Sequence, residues 1–187
     1  MGRDAFFLLS SQETAHMFNI EAYIRDIHDF PKKGIVYKDI TPLMQDATAT
    51  RETVAAFLSF LEGEKIDKVV GIESRGFFFA TLLAQELNAG FVPIRKPGKL
   101  PYDTYRESYS LEYGEDTLEV HSDAIQKGEK ILVHDDVLAT GGTAAAACKL
   151  VEKMGGEIVQ CSFLMDLSFL KGKEKLDSYK VVSLVSY

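Results

Sequence analysis

Residues 130–143 read KILVHDDVLATGGT, and this stretch decides the fold. Lys130–His134 is short and apolar, as a strand covered on both faces should be. Asp135–Thr143 follows as a polar, glycine-containing loop. Ala144–Met154 then reads as a helix, with Ala144, Ala147, Cys148 and Val151 on one face and Gly155-Gly156 to end it. Glu157–Met165 returns as a strand. An earlier stretch repeats the order: strand Asp67–Ile72, turn Glu73-Ser74-Arg75-Gly76, helix Phe77–Leu87, strand Gly90–Arg95. That helix is apolar nearly all round and is expected to be buried. Two such βαβ units in one chain imply an α/β fold with a mainly parallel central sheet flanked by helices. Ligands of these sheets bind at the carboxyl ends of the strands, so both polar turns belong on one edge.

The loop itself has a specific chemistry. Gly141 and Gly142 can take positive φ and turn backbone N–H groups inward around an anion. Thr140 and Thr143 add hydroxyl donors, and the following helix presents the positive end of its dipole. Together they form a phosphate cradle that needs neither Lys nor Arg. Asp135 and Asp136 are acceptors when ionised, suited to sugar hydroxyls or a hydrated cation. The string is neither a Walker A loop nor the GxGxxG of a dinucleotide fold.

Working outward, the chain has 187 residues, 46% of them hydrophobic and 26% charged, which suits about one globular domain. Such a length buries roughly 70% of its unfolded surface without disulfide or metal staples. With 21 basic and 28 acidic residues the net charge is −7, which argues against nucleic-acid and membrane partners. It carries no weight against a phosphorylated metabolite, because backbone N–H groups and a few local cations can build an anion pocket inside an acidic protein. Cys148 and Cys161 form no CxxC pair, and His16, His28, His121 and His134 show no metal-ligand spacing. These spacings argue against a disulfide scaffold or a zinc module, and His134 reads as a satisfied buried residue. The run Ala5–Leu9 is too short for a membrane span or a signal sequence, so a cytoplasmic protein is expected. Residues 1–16 read as an extension, poorly ordered, and residues 17–187 as one domain. Phe18, Ile20, Tyr23, Ile24 and Ile27 recur at helical spacing and predict a helix ended by Pro31. Val54, Phe57, Leu58 and Leu61 predict another, ended by Gly63. Lys96–Tyr113 has no clear period and reads as an irregular lid.

The string DDVLATGGT between strand and helix resembles the 5-phosphoribosyl-1-pyrophosphate (PRPP) motif of type I phosphoribosyltransferases. Phe30–Pro42 resembles the base-binding segment (30–42) of the adenine phosphoribosyltransferase family, and Glu73–Phe77 its pyrophosphate turn. Residues 96–114, with Tyr109–Gly114, resemble its mobile catalytic loop or hood hairpin, and Leu170-Lys171-Gly172 a C-terminal turn of the same family. The resemblance runs from about residue 18 to the end.

It implies transfer of the phosphoribosyl group of PRPP to N9 of adenine, giving AMP and pyrophosphate. Asp135, Asp136, Ala139, Thr140, Gly141, Gly142 and Thr143 are then expected to hold the 5′-phosphate and ribose. Ser74, Arg75, Arg95 and Lys99 are expected at the pyrophosphate, and Val36, Tyr37, Lys38 and Val137 at the adenine, with Tyr37 over the base face. Glu112 is expected to exchange a proton with the base. Mg²⁺ is expected on the substrate oxygens and water, without a direct protein ligand. The resemblance also implies a homodimer in which Arg95 reaches the neighbouring site, and a cis peptide at Glu73–Ser74. Lys38 stands where the family often has Arg, Glu73 where Asp is commoner, and His134 where an apolar residue is usual. A 6-oxo purine as the base, or a non-catalytic PRPP sensor, are the competing readings.

Overall fold

Short apolar runs separated by helices build a five-stranded sheet in the computed structural model, which describes residues 18–110 and 114–187. In chain order the elements are strands β1 (Arg25–His28) and β2 (Val36–Asp39), helices α1 (Thr41–Gln45) and α2 (Ala47–Ser59), strand β3 (Lys68–Ile72), helix α3 (Gly76–Glu86) and strand β4 (Gly90–Ile94). They continue with strands β5 (Thr104–Ser110), β6 (Glu115–His121) and β7 (Lys130–Leu138), helix α4 (Gly142–Lys153), and strands β8 (Glu157–Asp166) and β9 (Val181–Ser186). The sheet order is β4-β3-β7-β8-β9, and every pairing in it is parallel. Alternate residues of the central strands feed opposite faces. Val70, Ile72, Ile131 and Val133 pack with α4, while Val69 and Leu132 pack with Phe57 of α2 and Phe79 and Leu83 of α3. The carboxyl ends of β3, β4, β7 and β8 lead into the segments starting at Glu73, Arg95, Ala139 and Leu167, which therefore share one edge.

Four expectations are corrected. The predicted helix over residues 18–31 is a single 3₁₀ turn, Ile20–Tyr23, followed by β1, which pairs antiparallel with β2. β-branched Ile24 and Ile27 suit a strand, and a cis peptide at Phe30–Pro31 together with a positive φ at Asp29 turns the chain back onto β2. Arg25 then meets Asp39 at 2.6 Å, a pairing no helical spacing would suggest. The polar loop is shorter than expected. β7 continues through Leu138, because Val137 and Leu138 pair with Met165 and Asp166, so only Ala139–Gly141 connect it to α4, which begins at Gly142.

The expected irregular lid contains the strand β5, paired antiparallel with β6 from Thr104↔His121 to Ser110↔Glu115. Its apolar alternation is weak because only one face of the hairpin, with Tyr109, Leu118 and Val120, meets the core. Finally, α3 is not buried all round: Phe79, Ala80, Leu83 and Ala84 are inside, but Phe78 is 48% exposed. Helix α2 begins where Asp46 accepts hydrogen bonds from the Thr48 and Ala49 amides, both at 2.8 Å, and Gly63 follows it with φ +82°. Residues 1–17 and 111–113 lie outside the described residues, and with them the expected extension and Glu112. Among the described residues no helix is long and apolar enough to cross a membrane.

Candidate active site

The cradle forms at the end of β7. Gly141 takes φ +76°, in the left-handed region, and from there α4 starts with no side-chain cap. The first-turn amides of a helix have no intrahelical partner, so those of Gly142, Thr143 and Ala144 are available to an anion. Asp135, Val137, Leu138, Ala139, Thr140 and Thr143 line a cavity of about 70 Å³ at this point. The cradle leans on the C-terminal turn: a β-carbon on Gly172 would lie 2.3 Å from the Ala139 carbonyl oxygen. Lys171 just before it is left-handed, with φ 54°, and Lys173 pairs at 2.9 Å with buried Asp166.

The two aspartates sit beneath. Asp135 accepts the Asp136 amide at 2.9 Å. Burial and the neighbouring Asp136 carboxylate push Asp135 well above the usual carboxylate range. Burial also pushes Asp136 up, opposed by the Arg75 guanidinium whose Nε lies 2.7 Å from its Oδ2. Gly76 lets α3 approach this pair, since a β-carbon there would stand 2.7 Å from Asp135 Oδ1.

A larger apolar cleft of about 680 Å³ adjoins the cradle, and Thr140 lines both. Its walls are Ile35, Val36 and Lys38 on one side and Leu167, Phe169, Leu170 and Tyr187 on the other. Phe169 is 70% exposed, an aromatic ring held at the cleft without burial of its own. Lys38 spans 2.7 Å to Asp26 and lies 3.5 Å from the centre of the Tyr187 ring.

Val36 and Lys38 share one face of β2, so Tyr37 points the other way. Its hydroxyl accepts from Arg75 Nη1, its ring lies 4.9 Å from the Arg75 guanidinium, and Phe30 meets it edge-on at 5.2 Å. Tyr37 is therefore absent from the cleft lining, and Arg75 reaches β2 and Asp136. Val137 lines the small cavity at the cradle instead of the cleft.

Ser74 is exposed in the turn after β3, and the Glu73–Ser74 peptide is cis. Arg95 and Lys99 gather at Glu73. Its carboxylate accepts from Arg95 Nε and Nη2, both at 3.3 Å, from the Lys96 amide at 3.0 Å and from Lys99 Nζ. Burial alone would push Glu73 up, but these bonds outweigh it and hold the group down at about 2. A buried carboxylate, Glu119, accepts the Gly98 amide at 3.0 Å and pairs with Arg106 at 2.6 Å. Residues 95–99 are thus tethered at both ends.

Among the described residues no three His, Cys, Asp or Glu converge as a metal site. The acidic atoms nearest the cradle are already engaged, one with an amide and one with Arg75. This donor set fits a magnesium ion that takes its ligands from phosphate oxygens and water, with at most one carboxylate beside it.

No sequence motif marks the cleft residues Leu167, Phe169 and Tyr187. Only the Leu170-Lys171-Gly172 turn hinted at this segment. His134 is fully buried, with Nδ1 3.0 Å from Ser162 Oγ and the Phe57 ring edge-on at 5.0 Å, but its Nε2 has no hydrogen-bond partner among the described residues. Burial pulls it down to about 3, against its contact with Ser162, and it plays no part in the site.

An anion cradle of backbone amides at a strand–helix junction, beside an acidic pair and an apolar cleft, defines a phosphoribosyl-transfer class of site. The sequence profile described as phosphoribosyl transferase domain matches residues 45–186. An adenine phosphoribosyltransferase from Christiangramia forsetii is 67% identical over 168 residues, covering 90% of this chain and 98% of the relative. The crystal structure of the enzyme of that name from Thermoanaerobacter pseudethanolicus superposes with a TM-score of 0.87 at 49% identity, covering 90% of this chain and 98% of its own. That from Saccharomyces cerevisiae, complexed with an imino-altritol bisphosphate and adenine, gives 0.85 at 40% identity, covering 88% and 96%. The chain belongs to the adenine phosphoribosyltransferase family.

Proposed function

We propose that this site transfers the 5-phosphoribosyl group of PRPP to N9 of adenine, releasing AMP and pyrophosphate. The observation that carries the reading is the continuity of cradle and cleft through Thr140, which sets a phosphate site and a flat apolar site side by side. Residues 139–143 grip the 5′-phosphate through amides and hydroxyls. Asp135 and Asp136 accept the ribose hydroxyls and favour the positive charge that builds on the ring as the C1′–O bond breaks. The base enters the cleft between Val36 and Phe169, where the β2 backbone offers donors and acceptors to its N1 and 6-amino edge. Phe169, and not the Tyr37 that the resemblance implies, takes the stacking role. Val137 contributes at the cradle end of the base.

Ser74, Arg75, Arg95 and Lys99 serve the pyrophosphate, with Glu73 holding the last two in reach. Magnesium, when bound, neutralises the pyrophosphate oxygens. Glu112 exchanges a proton with the base as N9 becomes bonded. A homodimer, with Arg95 reaching the neighbouring site, completes the reading. The setting is cytoplasmic, in keeping with two buried thiols, Cys148 and Cys161, that stand 3.5 Å apart as free cysteines.

The test is product formation from PRPP and Mg²⁺ with each purine in turn. AMP from adenine supports the assignment. Product from hypoxanthine or guanine alone overturns the base, and no product from any base overturns the enzyme. Sedimentation at a two-chain mass checks the dimer.

A further inference from the structure

We propose that Tyr109 is a positioning residue whose hydroxyl reports occupancy of the cradle to the hairpin formed by β5 and β6. The inference rests on the reading of the cradle as a phosphate site. Tyr109 lies on β5 directly opposite Asp116 on β6. Thr143 Oγ1, in the first turn of α4, donates to the Tyr109 hydroxyl at 3.1 Å. That hydroxyl donates to Asp116 Oδ2 at 3.2 Å, and Lys96 Nζ pairs with the same oxygen. A single chain of polar contacts thus joins the cradle, the hairpin and residues 95–99, which carry two of the expected pyrophosphate cations.

Each hydroxyl in this chain has one proton to give. Thr143 gives its proton to Tyr109 while Tyr109 gives its own to Asp116. A phosphate in the cradle is a stronger acceptor than a phenol oxygen, so Thr143 turns its proton to the anion. Its oxygen then faces Tyr109 as an acceptor, and the phenol proton leaves Asp116 for it. The chain that ran from Thr143 to Asp116 becomes one that runs from Tyr109 to the anion, each bond polarising the next. Asp116 keeps Lys96 on that oxygen and the Thr117 amide, at 2.8 Å, on the other. The ring of Tyr109 packs against the core beside α4, so the exchange is felt across the β5–β6 pair instead of being lost to solvent.

The experiment measures amide hydrogen exchange in β5 and β6 with and without ribose 5-phosphate, for the wild-type chain, Tyr109→Phe and Ser108→Ala. Calorimetry confirms binding in each. Tyr109→Phe keeps the ring and its packing. Ser108→Ala removes a different cross-strand contact, the 2.9 Å pair with Thr117, which does not touch the cradle. The proposal expects the ligand to shift exchange rates at the Tyr109–Asp116 pair by about fivefold in the wild type and in Ser108→Ala, the worth of one hydrogen bond. It expects Tyr109→Phe to bind ribose 5-phosphate with no such shift. An equal shift in Tyr109→Phe, or none in a wild type that binds, overturns the role of Tyr109 alone. Failure of the wild type to bind ribose 5-phosphate overturns the phosphate reading beneath it as well.

Discussion

Gly141 and Gly172, from turns that follow different strands, approach so closely that a β-carbon on Gly141 would lie 2.3 Å from the Gly172 carbonyl oxygen. The proposed phosphate cradle is therefore a two-layer structure, in which the β7–α4 loop is shaped by a second turn pressed against its back. Gly172 has no left-handed φ of its own, so its requirement is for space alone. Gly172→Ala should displace Ala139 and Gly141 by a fraction of an ångström to an ångström. The expected outcome is a fall of about 10²-fold in kcat/KM for PRPP, measured by steady-state kinetics, with the fold retained by circular dichroism.

Phe169 stands at the cleft largely in solvent, so its removal should cost binding without costing the fold. Phe169→Ala is expected to raise KM for adenine by about tenfold, the scale of one lost base–aromatic stack. KM for PRPP should hold, and the denaturation midpoint should move little, as for other exposed positions. An unchanged adenine KM would remove Phe169 from the base site.

Glu73 ties Arg95, Lys96 and Lys99 to the turn that precedes α3. Its folded value of about 2 lies below the ordinary 4.5, so its stabilisation is full above pH 4.5 and fades as pH falls toward 2. Glu73→Gln should shrink the part of acid destabilisation that falls in that window. It should also lower stability at neutral pH by about 1.5–3 kcal/mol, since bonds to charged donors are lost. Urea titrations at a series of pH values read both effects.

His134 carries a second acid sensitivity at a higher pH. Buried and neutral, it is held at about 3 against an ordinary 6.5, so protonation favours the unfolded chain. Stability from this group is intact above pH 6.5 and lost as pH falls from 6.5 toward 3. His134→Leu, paired with Ser162→Ala to avoid a stranded hydroxyl, should flatten the stability profile in that window. Persistence of the slope in the double variant would assign it to other groups.

Glu112 is the proposed partner of the base proton. Glu112→Gln is expected to lower kcat by about 10²–10⁴-fold, the range for loss of a general acid or base. Binding of ribose 5-phosphate, followed by calorimetry, should be unaffected. Wild-type turnover in this variant would sink the role.

The sequence by itself determined the parts of this protein that are local. Residues 130–143 specify a strand, a glycine turn and a helix start through an apolar run, the positive-φ Gly141 and hydroxyls within one short window, and the proposed anion site there is built from backbone amides. The paired aspartates and the parallel sheet follow from the same string and its repeat at residues 67–95. Only the tertiary structure decided what depends on distant partners. Helical spacing in residues 18–27 yielded to a strand because β2 lies alongside to pair with it. Tyr37 points to Arg75, and not into the cleft, because β2 is set between that guanidinium and the walls formed by residues 167–170. Phe169 and Gly172 acquire their places from the return of β8 to the same sheet edge. Periodicity encodes which face of an element is apolar. It does not encode which element, a hundred residues away, will stand against it.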